Sequence, residues 1–216
     1  LGVILEAAPD TDDCNSRNTY FVGGVGDFSV MLDPDEQDLY IFLSQYGGPV
    51  ESQGVAMARL PWADRDAPVG KVHVFADNDW VPALLMEDPG GDAPTKRWSY
   101  PSPAPVFPAK DSWHNGDEKV DAFWGPSVHW NTAIGQYVML LNRAKDVRWS
   151  QEGIYISYAT RLDDPSAWST PQRLIVGGQW YPQVLGLENG GTDKIAGGTA
   201  RFFMSGQSDY LIRFLR

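Results

Sequence analysis

One cysteine, Cys14, stands in a chain of 216 residues. A lone thiol closes no intrachain disulfide and makes no CxxC metal or redox pair. It also leaves the redox compartment undecided. Histidine is nearly as scarce: His73, His114 and His129 show no HxxxH or HExxH spacing, so no zinc site is indicated. Basic residues are few as well, 17 against 28 acidic ones, for a net charge of −11. With no Lys/Arg-rich run, that surface repels phosphate backbones and argues against a nucleic-acid partner. No run of about 18 apolar residues occurs, so no membrane-spanning helix is expected. The start, Leu1-Gly2-Val3-Ile4-Leu5, is apolar but short. It lacks the basic stretch and cleavage pattern of a signal peptide, and it lacks an initiating Met. The chain reads as a mature product or a fragment.

What is present is a soluble globular composition. Hydrophobic residues make up 43% and charged residues 21%, which argues against disorder. The 9 Trp, 9 Tyr and 9 Phe suit a β-rich core or a sugar-stacking surface. Gly (22) and Pro (16) are spread throughout and break long helices. Short β-branched and aromatic runs lie between turn signals at 28–32, 39–44, 55–59, 72–75, 127–130, 137–142, 154–160, 173–176, 183–187, 201–205 and 210–214. The expectation is an all-β chain.

The runs repeat in order. Gly26-Asp27-Phe28-Ser29-Val30, Trp124-Gly125-Pro126-Ser127-Val128 and Trp180-Tyr181-Pro182-Gln183-Val184 each open a unit. Second strands follow at 39–44, 137–142 and 200–205, and third strands at 54–59, 153–159 and 209–214. The first two units close with a Trp-bearing turn, Leu60-Pro61-Trp62 or Asp164-Pro165-Ser166-Ala167-Trp168, and a fourth strand. Four antiparallel strands per unit is the blade pattern of a β-propeller, with a β-sandwich as the alternative. A stretch from about 78 to 121 carries seven prolines and Gly90-Gly91 and reads as a long irregular insertion loop. Residues 1–6 read as the last strand of a preceding blade, and the third unit stops after its third strand. On this reading residues 1–216 are one propeller domain or a portion of one, with an incomplete ring.

At these motifs the chain resembles the five-bladed propeller glycosidases, glycoside hydrolase family 43 and its relatives. The resemblance rests on Gly26-Asp27-Phe28-Ser29-Val30 with Asp33-Pro34 and Leu39-Tyr40-Ile41-Phe42. It also rests on residues 153–159 with Asp163-Asp164-Pro165 and Trp168, and on Trp180-Tyr181-Pro182-Gln183-Val184 with Met204-Ser205. It implies polysaccharide degradation, as in bacterial enzymes, in a secreted or periplasmic setting. It also implies carboxylates at the channel mouth, one protonating the leaving oxygen and one activating water. Asp27 matches one of them. The acid of that group precedes Gly-Pro, where this chain has Trp124 before Gly125-Pro126. The nearest carboxylates, Asp121, Glu118 and Asp117, are displaced into the preceding segment, and Asp121 or Glu118 is the expected second catalytic group.

Trp124, Tyr181, His129 and Arg143 are the expected substrate-binding residues. Trp124 and Tyr181 occupy the ends of their inner strands next to Asp27 in the repeat. His129 shares a strand face with Gly125 and Ser127, where it could line the channel or help hold a central ion such as calcium. No other cofactor is expected. Gly23-Gly24-Val25-Gly26 lacks nucleotide-loop spacing, and no Gly-x-Ser-x-Gly elbow occurs. The expected function is a glycoside hydrolase acting on poly- or oligosaccharide, the alternative a non-catalytic propeller that binds glycans or scaffolds partners.

Overall fold

The structure is a computed structural model that describes residues 4–5, 25–35, 37–88, 95–114 and 118–215. Cys14, Asp117, Gly23-Gly24 and most of the strand expected over 1–6 lie outside these. The chain is all-β. In chain order the strands are β1 (Val25–Leu32), β2 (Asp38–Gln45), β3 (Gly54–Pro61), β4 (His73–Ala76), β5 (Asp79–Pro82), β6 (Leu84–Asp88), β7 (Thr95–Ser99) and β8 (Pro105–Pro108). They continue with β9 (Lys119–Asn131), β10 (Gln136–Asp146), β11 (Gln151–Ala159), β12 (Gln172–Val176), β13 (Gln183–Gly186), β14 (Ile195–Ala196), β15 (Thr199–Met204) and β16 (Gln207–Arg213).

Three sheets follow the three sequence units. The first runs β1-β2-β3-β4-β5, the second β12-β11-β10-β9-β14, and the third β13-β15-β16. Successive strands within each unit pair antiparallel, while the two-residue β14 adds to β9 in parallel. The hairpin from β9 to β10 shows how local chemistry sets the register. Asn131 Oδ1 accepts the backbone N–H groups of Ala133 at 3.1 Å and Ile134 at 3.2 Å. Gly135 then takes φ +68°, a conformation glycine adopts without steric penalty.

The sheets stack face to face. Alternation along β10 sends Tyr137, Met139 and Leu141 one way, among Tyr40, Phe42, Val55 and Met57 of the first sheet. The intervening Val138 and Leu140 point the other way, among Val184, Ala200 and Phe202 of the third sheet. The second sheet is thus buried on both faces, which explains the unbroken apolar run from 137 to 141. Each fully buried Leu or Met contributes roughly 1.5–3 kcal/mol. The Trp-bearing turn that closes the second unit locks into the same core. Asp164 Oδ1 accepts from the Ser166 N–H at 2.9 Å, and Trp168 meets Phe42 edge-on at 5.6 Å.

The proline-rich stretch from about 78 to 121 differs from the irregular loop expected of it. It contributes β5, β6, β7 and β8 and the start of β9. The turn from β4 to β5 uses Asp77 and Asn78 at φ +52° and +63°, the left-handed pair a tight hairpin requires. β8 then pairs with β3, and Gly54, at φ +127°, lets the Phe107 carbonyl approach closer than any side chain would allow. Pro82 ends the edge strand β5, and Pro105 and Pro108 stand at the two ends of β8, where a missing N–H is tolerated.

Candidate functional site

The first strands of the three sheets converge on one cavity of about 610 Å³. β1 supplies Asp27, Phe28, Ser29 and Val30, and β9 supplies Gly125, Pro126 and Ser127. Tyr181, Pro182 and Gln183 come from the entry to β13, and Asp193 and Lys194 from the connection ahead of β14. Equivalent positions in the repeat share an unusual backbone. Asp27, Gly125 and Tyr181 have φ of +43°, +60° and +56°. For the two non-glycine residues this left-handed conformation costs about 1–2 kcal/mol each. Such strain persists only where surrounding contacts hold it, and it concentrates at functional sites.

The contacts that hold it also repeat. Ser44, at the end of β2, accepts the Gly125 N–H at 2.8 Å, and its hydroxyl lies 3.5 Å from the Asp27 carbonyl. Asn142, at the matching place on β10, accepts the Tyr181 N–H at 2.9 Å and donates to the Gln179 carbonyl at 3.1 Å. A buried polar residue on each second strand therefore fixes the first strand of the next sheet.

Asp27 is gripped by one phenol and lies near a second. The Tyr46 hydroxyl donates to Asp27 Oδ2 in a short hydrogen bond. Tyr181 stands near enough for the Asp27 charge to act on its hydroxyl. Burial, and then the Asp27 charge, raise the Tyr181 hydroxyl above the usual tyrosine range. Burial first, and Asp27 second, raise Tyr46 still more clearly. Both phenols therefore stay protonated, and Tyr46 serves as the donor to Asp27. Tyr46 rests on a tryptophan floor, edge-on to Trp113 at 5.4 Å and to Trp149 at 5.4 Å.

Of the residues the sequence singles out, Asp27 and Tyr181 lie on the cavity and the others do not line it. Trp124 is 1% exposed. It belongs to the floor, against Trp149 at 4.5 Å and Tyr181 at 5.5 Å, so it supports the site from beneath. His129 is wholly buried against Phe214, with neither ring nitrogen hydrogen-bonded among the described residues. Asp121 forms a bidentate pair with Arg143, at 2.6 and 2.7 Å, and Arg143 also donates to Tyr155. Glu118 pairs with Arg148 at 3.3 Å on the surface. No group of three or more His, Cys, Asp or Glu among the described residues is placed to hold a metal.

Four cavity residues escaped the sequence reading. Phe28 is 72% exposed, an open aromatic face beside Asp27. Asp193 is the second carboxylate on the cavity, and Lys194 is its cation. Ser29 links them to β1 by accepting from Lys194 Nζ at 3.1 Å. The strained, strand-opening positions carry a repeat signal. Asp193 and Lys194 lie outside the repeated strands and carry none. No protein-family model matches the chain, and a search of the curated proteins returned no match.

Proposed function

We propose that the three stacked sheets are blades of a β-propeller, and that the cavity between their first strands is a saccharide site at which Asp27 acts in glycoside hydrolysis. The observation that carries this reading is the Asp27 carboxylate, on a strained backbone and held by Tyr46, where three first strands meet beside Tyr181. Exposed rings of Phe28 and Tyr181 offer apolar platforms for sugar faces. Hydrolysis needs a base to activate water and an acid to protonate the leaving oxygen. Asp27 fills one role. Asp193, on the same cavity, fills the other in place of Asp121 and Glu118, whose carboxylates are engaged by Arg143 and Arg148.

The test is a panel of poly- and oligosaccharides assayed for reducing-end release. Asp27→Asn is expected to abolish hydrolysis of whichever substrate the wild type cleaves, with the fold intact by thermal melting. Hydrolysis at the wild-type rate by Asp27→Asn would overturn the assignment. A specific observation favours a second reading, a glycan-binding propeller without turnover. The position where the resemblance calls for an acid holds Trp124, and Trp124 is buried. Saccharide binding with no product in any reaction would select that reading.

A further inference from the structure

We infer that Lys194 and Ser29 form a carboxylate-binding corner of the cavity, and that the saccharide it takes is acidic, a uronic acid or an oligomer containing one. This rests on the saccharide reading above. Lys194 is the one cation lining the cavity among the described residues, in a chain where acidic groups outnumber basic ones. Its side chain is 31% exposed and reaches from the connection ahead of β14 to β1. Its carboxylate neighbour, Asp193, stands 3.7 Å away, within ion-pair reach but beyond hydrogen-bond distance. The ammonium has three donors, and Ser29 Oγ takes one.

Ser29 adds the second half of the corner. Its Oγ accepts from Lys194 Nζ at 3.1 Å and from the Val128 N–H at 3.1 Å. A hydroxyl has two lone pairs, and both are used. Its own O–H therefore points away from these donors, and it has no acceptor among the described residues. A carboxylate on the cavity side would accept from the hydroxyl and from the ammonium together, in charge-assisted bonds. Burial lowers the Lys194 ammonium below the usual lysine range, opposed by Asp193, so an incoming anion is favoured more strongly than at an open surface. Ser29 lies two residues from Asp27 on β1, across the register shift between Gly26 and Ser29, and both line the cavity. One sugar ring can thus present its carboxylate to Lys194 and its hydroxyls to Asp27. Neutral sugars offer the Ser29 hydroxyl and the remaining ammonium donors no anionic acceptor, which is how such a polar site disfavours the wrong ligand.

The test is calorimetric titration of the full chain with matched pairs. Galacturonate, glucuronate and mannuronate oligomers are each compared with the neutral oligomer of the same linkage. The wild type is expected to bind an acidic member roughly tenfold or more tightly than its neutral partner. The preference should shrink as salt rises. Lys194→Gln, which keeps a donor toward Ser29 but no charge, should bring the ratio to within about twofold. Lys194→Arg should restore part of it. Equal affinity for both members in the wild type, or a preference that survives Lys194→Gln, would overturn the inference while leaving the saccharide reading standing. Failure of every acidic and neutral oligomer to bind would instead remove the saccharide reading, and this inference with it.

Discussion

The Tyr46 hydroxyl, just past the end of β2, donates to Asp27 Oδ2 at the start of β1. The bond ties the cavity carboxylate to the tryptophan floor. Tyr46 is almost wholly buried, so its orientation is set by Trp113 and Trp149 rather than by solvent. Tyr46→Phe keeps that packing and deletes only the donor. It should lower stability by about 1–2 kcal/mol, the cost of leaving one Asp27 oxygen without its partner. Ligand affinity or hydrolysis should fall with it, because Asp27 then loses the phenol that orients it. Urea denaturation, with binding measured on the same variant, checks both parts. An unchanged midpoint together with unchanged binding would show that the bond has no role in holding Asp27.

Asp121 and Arg143 give a contrasting expectation. Their bidentate pair is partly shielded, and Arg143 lies over the rings of Phe123 and Tyr155 at 5.5 Å. The pair joins β9 to β10 away from the cavity. Asp121→Asn should lower stability by about 1 kcal/mol, discounted for partial exposure, and leave saccharide affinity unchanged. Loss of binding or hydrolysis in a stably folded Asp121→Asn would return Asp121 to the catalytic role that the resemblance implied for it.

These two cases show what could be read in the chain. The strand order was legible because β10 and its equivalents are short apolar runs between turn residues, repeated three times. Asp27 was singled out through the resemblance, as the carboxylate opening the first strand of its unit beside Gly26, and it lies on the cavity. The β4-β5 hairpin and β8 were hidden by the prolines at their strand ends, Pro82, Pro105 and Pro108, although Asp77-Asn78 was a local turn signal. Lys194 could not be found locally. Its partner Ser29 is 165 residues away, and Gly190-Gly191-Thr192 before it reads only as a loop. Trp124 was placed on the sugar side because composition does not say which face of a strand start is covered. Trp149 and Trp180 cover it.

Ser44 and Asn142 make the repeated link between sheets, and they should behave alike. Each accepts a backbone N–H from the next first strand, of Gly125 or of Tyr181. Alanine at either place leaves that N–H without its acceptor. Ser44→Ala and Asn142→Ala should each cost about 1–3 kcal/mol. They act on different sheet junctions, but Gly125 lies against Asn142, so the double variant should lose more than either single without reaching the full sum. Denaturant titration of the two single variants and the double checks this. A double variant no less stable than the worse single would show that the two junctions are not independent.

His129 should make stability depend on pH. Burial, with Lys194 adding in the same direction, pushes its ring down to about 3 from an ordinary value of 6.5. Above 6.5 the ring is neutral in both folded and unfolded chains, and its contribution is fully present. As pH falls below 6.5, the unfolded chain binds a proton that the folded ring refuses, so stability is lost. The loss is about 1.4 kcal/mol per pH unit for one such ring, and it continues until the folded ring protonates near 3. His73, shifted in the same direction chiefly by burial, steepens the slope. His129→Leu removes the larger part. Neither His129 nitrogen has a hydrogen-bond partner among the described residues, so leucine forfeits no bond there. Urea midpoints at pH 7.5, 6 and 5 should fall steeply for the wild type and much less for His129→Leu. Parallel curves for the two proteins would place the pH sensitivity elsewhere in the molecule.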